Sequence, residues 1–242
     1  MNNDEAKKLI EQNREVYNTI APFFSDTRAY LWEELKPLSV YTRLGDTVLD
    51  LGCGNGRLYQ MFQNLQGGEG TGGASISYIG IDQSEELIKI AQEKIPQGTF
   101  YVAELTDLPL NDASVDVIYC IAAFHHLPNR ETRLQTLSEM KRILKKGGYI
   151  IMTNWNLHSR SVAKNIEKGK WRVEGRNDFI IPWFSSRGEI LGERYYYGFT
   201  LEELAGLFAE ADLEMVEQYY VKKGEKTNVE EGNNIVSIVT VM

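Results

Sequence analysis

The chain has 242 residues, 43% of them hydrophobic, and carries 26 basic against 34 acidic side chains, a formal net charge of −8. That length suits one well-buried α/β domain with appendages and is short for two, and the excess of acid argues against indiscriminate nucleic-acid binding, which needs a positive surface. With no charged-then-apolar leader and no apolar run of about 18 residues, a soluble, cytoplasmic protein without membrane association is expected.

Residues 4–38 set Leu9, Val16, Ile20, Phe23, Phe24, Tyr30, Leu31 and Leu35 at helical spacing with Pro22 among them, which predicts two short helices packed on the domain. The pattern then alternates. Strands are expected over 47–52, 77–82, 99–103, 115–121 and 148–154, with helices over 57–65, 84–95 and 130–145. Such alternation implies a mainly parallel sheet covered by helices on both faces. Ser84 is placed to cap the second of these helices, with Glu85 and Glu86 in its first turn, and Gly147-Gly148 to stop the third. The glycine-rich run Gly67–Gly73 reads as an inserted surface loop. Residues 156–199 show little periodicity; an insertion of that length after a strand's carboxyl end is expected to carry specificity. Thr200-Leu-Glu-Glu203 is a capping box before a helix over 201–211, and strands near 213–222 and 234–241 finish the sheet.

The chemistry concentrates at Val48-Leu-Asp-Leu-Gly-Cys-Gly-Asn-Gly56, an apolar strand running into three glycines at alternate positions. Gly52, Gly54 and Gly56 lack Cβ, so the turn can take positive φ and let a small molecule approach the main chain. Asp50 inside that strand would be costly unpaired, so it holds either the glycine turn or a cationic ligand group. Asp82 ends the next strand, where dinucleotide folds place a ribose-binding acid. The turn itself has neither the dinucleotide spacing nor a phosphate-loop lysine. Cys53 and Cys120, with no second thiol near either, read as packing residues. The segment from Arg160 to Arg176 holds six basic residues and Trp171 against two glutamates, a composition that suits either a phosphate backbone with a stacked base or a solvated face.

Asp-Leu-Gly-Cys-Gly-Asn-Gly, then Gly-Ile-Asp-Gln-Ser, then Leu-Pro-Leu-Asn-Asp-Ala-Ser-Val-Asp-Val-Ile resemble, in order, the blocks of the class I S-adenosyl-L-methionine (SAM) dependent methyltransferases. The resemblance implies a single Rossmann-like domain over 1–242, with a mainly parallel seven-stranded sheet, one strand antiparallel, the N-terminal helical segment 4–38 and the substrate-side insertion 156–199. It implies SAM as cofactor, with Asp50, Gly52, Gly54 and Gly56 around its methionine portion and Asp82 on the ribose hydroxyls. Glu104 stands where the family carries Asp toward the adenine amino group, and Gln83, Leu105, Cys120 and Ile121 complete the expected cofactor site.

A more specific likeness runs from about Glu15 to Phe199. Val16-Tyr-Asn-Thr-Ile-Ala-Pro-Phe-Phe-Ser-Asp-Thr-Arg28, then Cys-Ile-Ala-Ala-Phe-His125-His126-Leu, Arg130-Glu-Thr-Arg133, Ile-Pro182-Trp183 and Arg194-Tyr-Tyr196 are similar to segments of the tRNA wobble carboxymethyluridine methyltransferases, including the methyltransferase domain fused to a human AlkB homologue. Where that family has Gly-Asn-Trp, this chain has Gly232-Asn233-Asn234. The resemblance implies O-methylation of a carboxymethyl group on tRNA and, for the eukaryotic enzymes, a small activator protein as partner.

A carboxylate acceptor is already ionised at neutral pH and needs a cationic or hydrogen-bonding clamp rather than a strong base. Arg28, Arg194 and His126 are the expected catalytic groups, and Tyr17, His125, Trp183, Tyr195 and Tyr196 the expected acceptor-binding ones. For the adjacent histidines a metal site lacks a third ligand at suitable spacing, so no metal is expected. General base action remains open, as does one ring packing beneath the loop while the other, with His126 preferred, faces the pocket. Trp183 is either a stacking wall or core of the insertion. A small-molecule acceptor, which the acidic charge favours, and a non-catalytic SAM-binding subunit are the competing readings.

Overall fold

The computed structural model describes residues 1–65 and 75–241, so the expected loop at Gly67–Gly73 lies outside the described residues. Helix α1 (Asn3–Thr27) starts at a capping box in which the Asn2 side chain accepts from Glu5 N–H and the Glu5 side chain returns to Asn2 N–H. It runs through Pro22 instead of breaking into two helices. Pro22 lies within two turns of the helix end, so the missing N–H costs one intrahelical bond, to the Asn18 carbonyl. The second expected helix is a 3₁₀ segment, Glu33–Tyr41, and the helix expected over 57–65 is also 3₁₀, Arg57–Leu65.

The strands are β1 (Thr47–Leu51), β2 (Ser77–Asp82), β3 (Thr99–Val102), β4 (Val115–Ile121), β5 (Leu144–Trp155), β6 (Arg172–Val173), β7 (Asp178–Phe184), β8 (Ile190–Tyr197), β9 (Glu214–Lys222), β10 (Glu225–Thr227) and β11 (Asn234–Thr240). The remaining helices are α2 (Glu85–Lys94), α3 (Arg130–Ile143), α4 (Arg160–Glu167) and α5 (Leu201–Glu210). The main sheet has eight strands in the order β10-β9-β11-β5-β4-β1-β2-β3. From β5 to β3 all pairs are parallel, and β11 is antiparallel to both β5 and β9. The eighth strand, β10, folds back antiparallel on β9 and is the one added to the expected seven.

Alternation along the strands builds two cores. Leu49, Leu51, Ile118, Ile150 and Met152 pack on one face with Met140, Leu204 and Phe208, while Val48, Val117, Tyr119 and Ile151 pack on the other with Leu35, Leu38 and Phe62. Helix α3 ends at Ile143, before the glycine pair, because Leu144 already pairs with Val115 to begin β5. Gly147, at φ +76°, serves an irregularity inside that strand.

The insertion is more ordered than its sequence pattern suggests. It contains α4 and a three-stranded antiparallel sheet, β6-β7-β8, with its own small core of Leu157, Val162, Phe179, Ile181 and Tyr196. This sheet stands beside α1, where Asn13 satisfies the main chain of β8: its Oδ1 accepts from Tyr195 N–H at 2.8 Å and its Nδ2 donates to the Tyr195 carbonyl at 3.0 Å. α1 is also tied to α2, since Asn18 Oδ1 accepts from Ser84 Oγ and Glu86 N–H. A cavity therefore opens between the carboxyl ends of β1, β2, β4 and β5, at the point where strand order reverses, with α1 and the insertion as its outer walls. Among the described residues no helix is long and apolar enough to cross a membrane.

Candidate active site

The inner half of the cavity is built on the glycine turn. Gly52 and Gly54 have φ of +76° and +54°, and Gly52 N–H and Cys53 N–H both donate to the Ile81 carbonyl, tying the turn to β2. A Cβ on Gly52 would lie 2.3 Å from the Ala123 Cβ, so the turn closes only with glycine there. Asp82 is fixed as an acceptor: Oδ2 takes Gly54 N–H at 2.9 Å and Oδ1 takes Ser84 N–H at 2.8 Å, while burial raises its carboxyl pKa. Asp50 lies buried deeper, accepting from the Tyr78 hydroxyl at 2.5 Å; burial pushes its carboxyl up to about 7 despite that hydrogen bond. A buried carboxyl of this kind favours a ligand that brings positive charge to it. Gln83, Glu104, Leu105 and Ile121 also line the cavity, with Glu104 at the exposed rim.

Three arginines line the same space. Arg57 lies with its guanidinium 4.1 Å from the Trp32 ring centroid, and burial followed by the nearby Arg28 charge lowers its pKa to about 10. Arg28, just past the end of α1, is half-buried over Phe24 and Trp183, and burial lowers it as well. Arg194 of β8 is 4% exposed and sits among Tyr17, Trp183 and Tyr196. Its NH1 donates to Tyr17 Oη at 3.4 Å and its Nε has no partner among the described residues. None of the three has a carboxylate within ion-pair distance among the described residues. A buried guanidinium without a counter-anion calls for an anionic ligand.

The two histidines follow β4 in a short turn, Phe124–His126, and both border the cavity. Hydrogen-bond chemistry fixes their tautomers. His126 Nδ1 lies 2.8 Å from the Tyr195 carbonyl, which can only accept, so Nδ1 carries the proton and Nε2 accepts from the Tyr17 hydroxyl at 3.0 Å. His125 Nδ1 accepts Trp155 N–H at 3.1 Å, so its proton resides on Nε2, which is buried and has no partner among the described residues. Burial lowers both, His126 to about 3 and His125 well below the usual imidazole range, so both rings are neutral. Both rings border the cavity, with His126 the more exposed and His125 buried, and the imidazole nitrogen without a partner among the described residues is His125 Nε2, a donor. Neither ring offers a lone pair to the cavity.

Some expected residues play other parts. Cys120 is fully buried in the core beneath the sheet and does not line the cavity, because alternation along β4 turns it away from Ile121. Gly56 is also outside the lining; its missing Cβ makes room for Ile95 and Ala91 of the α2 region. The Tyr195 hydroxyl points away to Asp178 and the Pro128 carbonyl, and only its main chain serves the site. Trp183 lies behind Arg28 and Arg194. Sequence reasoning missed Arg57, although its place directly after Gly56 was a usable signal, and Asn13, which had none. Among the described residues no group of three or more His, Cys, Asp or Glu side chains is arranged to hold a metal.

The cavity therefore combines a glycine cradle, fixed carboxylates for hydroxyl and cationic groups, and unpaired guanidinium groups for a carboxylate, which fits SAM. A family profile described as a methyltransferase domain matches residues 49–152. The tRNA (carboxymethyluridine(34)-5-O)-methyltransferase of Schizosaccharomyces pombe is 30% identical over 217 residues, covering 89% of this chain and 84% of that protein. The Saccharomyces cerevisiae protein of the same name is 29% identical over 181 residues, 75% of this chain, and the match spans 59% of its length. Among solved structures, a Haloferax volcanii methyltransferase in complex with the Trm112 methyltransferase activator aligns with a TM-score of 0.67 at 19% identity, covering 95% of this chain and 97% of that one. With the fold, the cavity and these relatives in agreement, the chain belongs to the class I SAM-dependent methyltransferases, in the family of the tRNA carboxymethyluridine methyltransferases.

Proposed function

We propose that the chain esterifies the carboxymethyl group of a tRNA wobble uridine. When bound, SAM supplies a methyl group activated on a sulfonium; the protein's task is to hold an oxygen nucleophile in line with it. The observation that carries the reading is the acceptor end of the cavity, lined by Arg194, buried and with no carboxylate in ion-pair distance among the described residues, and by His125, whose Nε2–H has no partner among them. His126 Nε2 is occupied by Tyr17, Asp50 by Tyr78, and Asp82 by two main-chain N–H groups. A neutral hydroxyl or ammonium acceptor would have to lose a proton there. A carboxylate arrives ionised, and Arg194 with His125 can bind and orient it. On this reading Arg57 and Arg28, on the side of the glycine turn, hold the cofactor carboxylate. Tyr17 and Tyr196 shape the acceptor pocket around Arg194.

The names of the relatives support a tRNA acceptor, and the Haloferax complex supports a small activator as partner. The test is incubation with methyl-labelled SAM and total tRNA from cells lacking wobble-uridine methylation, followed by digestion and mass spectrometry of the labelled nucleosides. Label in the methyl ester of carboxymethyluridine or a derivative is expected. Absence of label, with SAM binding confirmed and an activator supplied, would discard tRNA in favour of a small carboxylate.

A further inference from the structure

A second cavity of about 580 Å³ adjoins the first and shares two walls with it, Trp32 and Trp155. Its other walls include Trp171, Glu34, Asn234 and Lys223. Tyr196, Trp155 and Trp171 form a column of near-parallel rings leading from one cavity to the other. Tyr196 and Trp155 are inclined by 16° with centroids 5.0 Å apart, and Trp155 and Trp171 by 18° at 6.5 Å. Trp171 is held in place by the turn that ends α4, where the Asn165 carbonyl accepts from both Lys170 N–H and Trp171 N–H. Asn234 faces Trp155 directly across the β11–β5 pair, so their side chains share one face of the sheet. The Asn234 amide donates to Glu34, while its Oδ1 is buried and has no partner among the described residues, in a residue only 6% exposed. That oxygen asks for a donor from a ligand.

The rim is basic. Lys168 and Lys170, on either side of Gly169 and just before Trp171, are exposed and, with Arg176, have no acidic partner among the described residues. Aromatic faces, an orphan acceptor and nearby cations match a base of single-stranded RNA, whose edge carries N–H donors and whose backbone carries phosphate. We propose that the second cavity takes a nucleobase adjacent in the chain to the methyl-accepting nucleotide, stacked on Trp171 and donating to Asn234 Oδ1; this rests on the reading of the acceptor as RNA.

The test is fluorescence anisotropy of a dye-labelled single-stranded RNA of anticodon-loop sequence with the wild-type protein, Trp171→Ala and Trp171→Phe. Trp171→Ala should weaken binding about tenfold, and Trp171→Phe should restore most of it. An RNA abasic on both sides of the target uridine should bind the wild type and Trp171→Ala alike. Equal affinity of wild type and Trp171→Ala for the intact RNA would overturn the subsite. So would the same loss on the abasic RNA, or no RNA binding by the wild type. Methyl transfer to carboxymethyluridine is measured in parallel: if it is absent while Trp171-dependent binding persists, the reaction assignment falls and the subsite stands.

Discussion

At the scale of single residues, the acceptor end is a set of fixed donors. Arg194→Ala should lower kcat/KM for the acceptor on the order of ten- to a hundredfold, the range of a charge-assisted hydrogen bond, and leave the calorimetric SAM affinity nearly unchanged. Equal loss of both would move Arg194 to the cofactor. Asp82→Ala should cost about 1–3 kcal/mol of SAM binding, because ribose hydroxyls would lose their buried acceptor; unchanged affinity would refute the ribose assignment. Asp50 gives a pH signature. Burial first, opposed by the Tyr78 hydrogen bond, raises its carboxyl from 3.8 to about 7. Between those values the folded state keeps a proton that the unfolded chain releases, so this group's contribution to stability falls as pH rises through the window. A cationic ligand group favours the ionised form, so SAM affinity should climb with pH toward about 7 and level off above it. Asp50→Asn should flatten that profile; an unaltered slope in the variant would show that another group titrates. None of this was legible in the pair His125-His126, because the tautomers depend on Trp155 N–H and the Tyr195 carbonyl, which are distant in sequence.

At the scale of elements, the parallel core was legible because β1, β4 and the later part of β5 are buried apolar runs and because β1 and β2 are closed by a glycine and a carboxylate. The insertion was not. Its β7 contains Pro182, which argues against a strand, yet β6 reaches only Phe179 and Ile180, so Pro182 lies where β7 has no partner on that side. α1 was seen as apolar spacing, while its role in the site depends on one polar residue. Asn13 replaces missing strand contacts of β8 and thereby sets Tyr17, Arg28 and Arg194 around one space. Asn13→Ala takes away the acceptor of Tyr195 N–H and leaves His126 Nδ1–H as the donor to the Tyr195 carbonyl. It should cost about 1–3 kcal/mol in urea unfolding and raise the acceptor KM more than the SAM dissociation constant. A variant with wild-type stability would show that α1 docks through its apolar face alone.

At the scale of the whole molecule, a net charge of −8 must be reconciled with a polyanionic acceptor. The structure resolves the six basic residues of 160–176 into two groups. Arg160 is committed to Glu230 and Glu231, which ties the insertion to the chain before β11, and Arg172 to Glu193 and Glu174, which ties the insertion's own strands together. Lys164 lies near Glu231. That leaves Lys168, Lys170 and Arg176 for phosphate. A single-stranded segment touching about three cations should show a slope of log affinity against log salt near −2, far shallower than for a protein with an extended basic face. Lys168→Glu combined with Lys170→Glu should bring the slope closer to zero and raise the KM for RNA, with transfer to the isolated carboxymethyluridine nucleoside unaltered, since neither lysine reaches the first cavity. The measurement is a salt series of RNA affinities for the two proteins. A slope that stays the same in the double variant would place the phosphate path elsewhere on the surface, and a parallel loss on the nucleoside would mean that the substitutions had disturbed the insertion's fold.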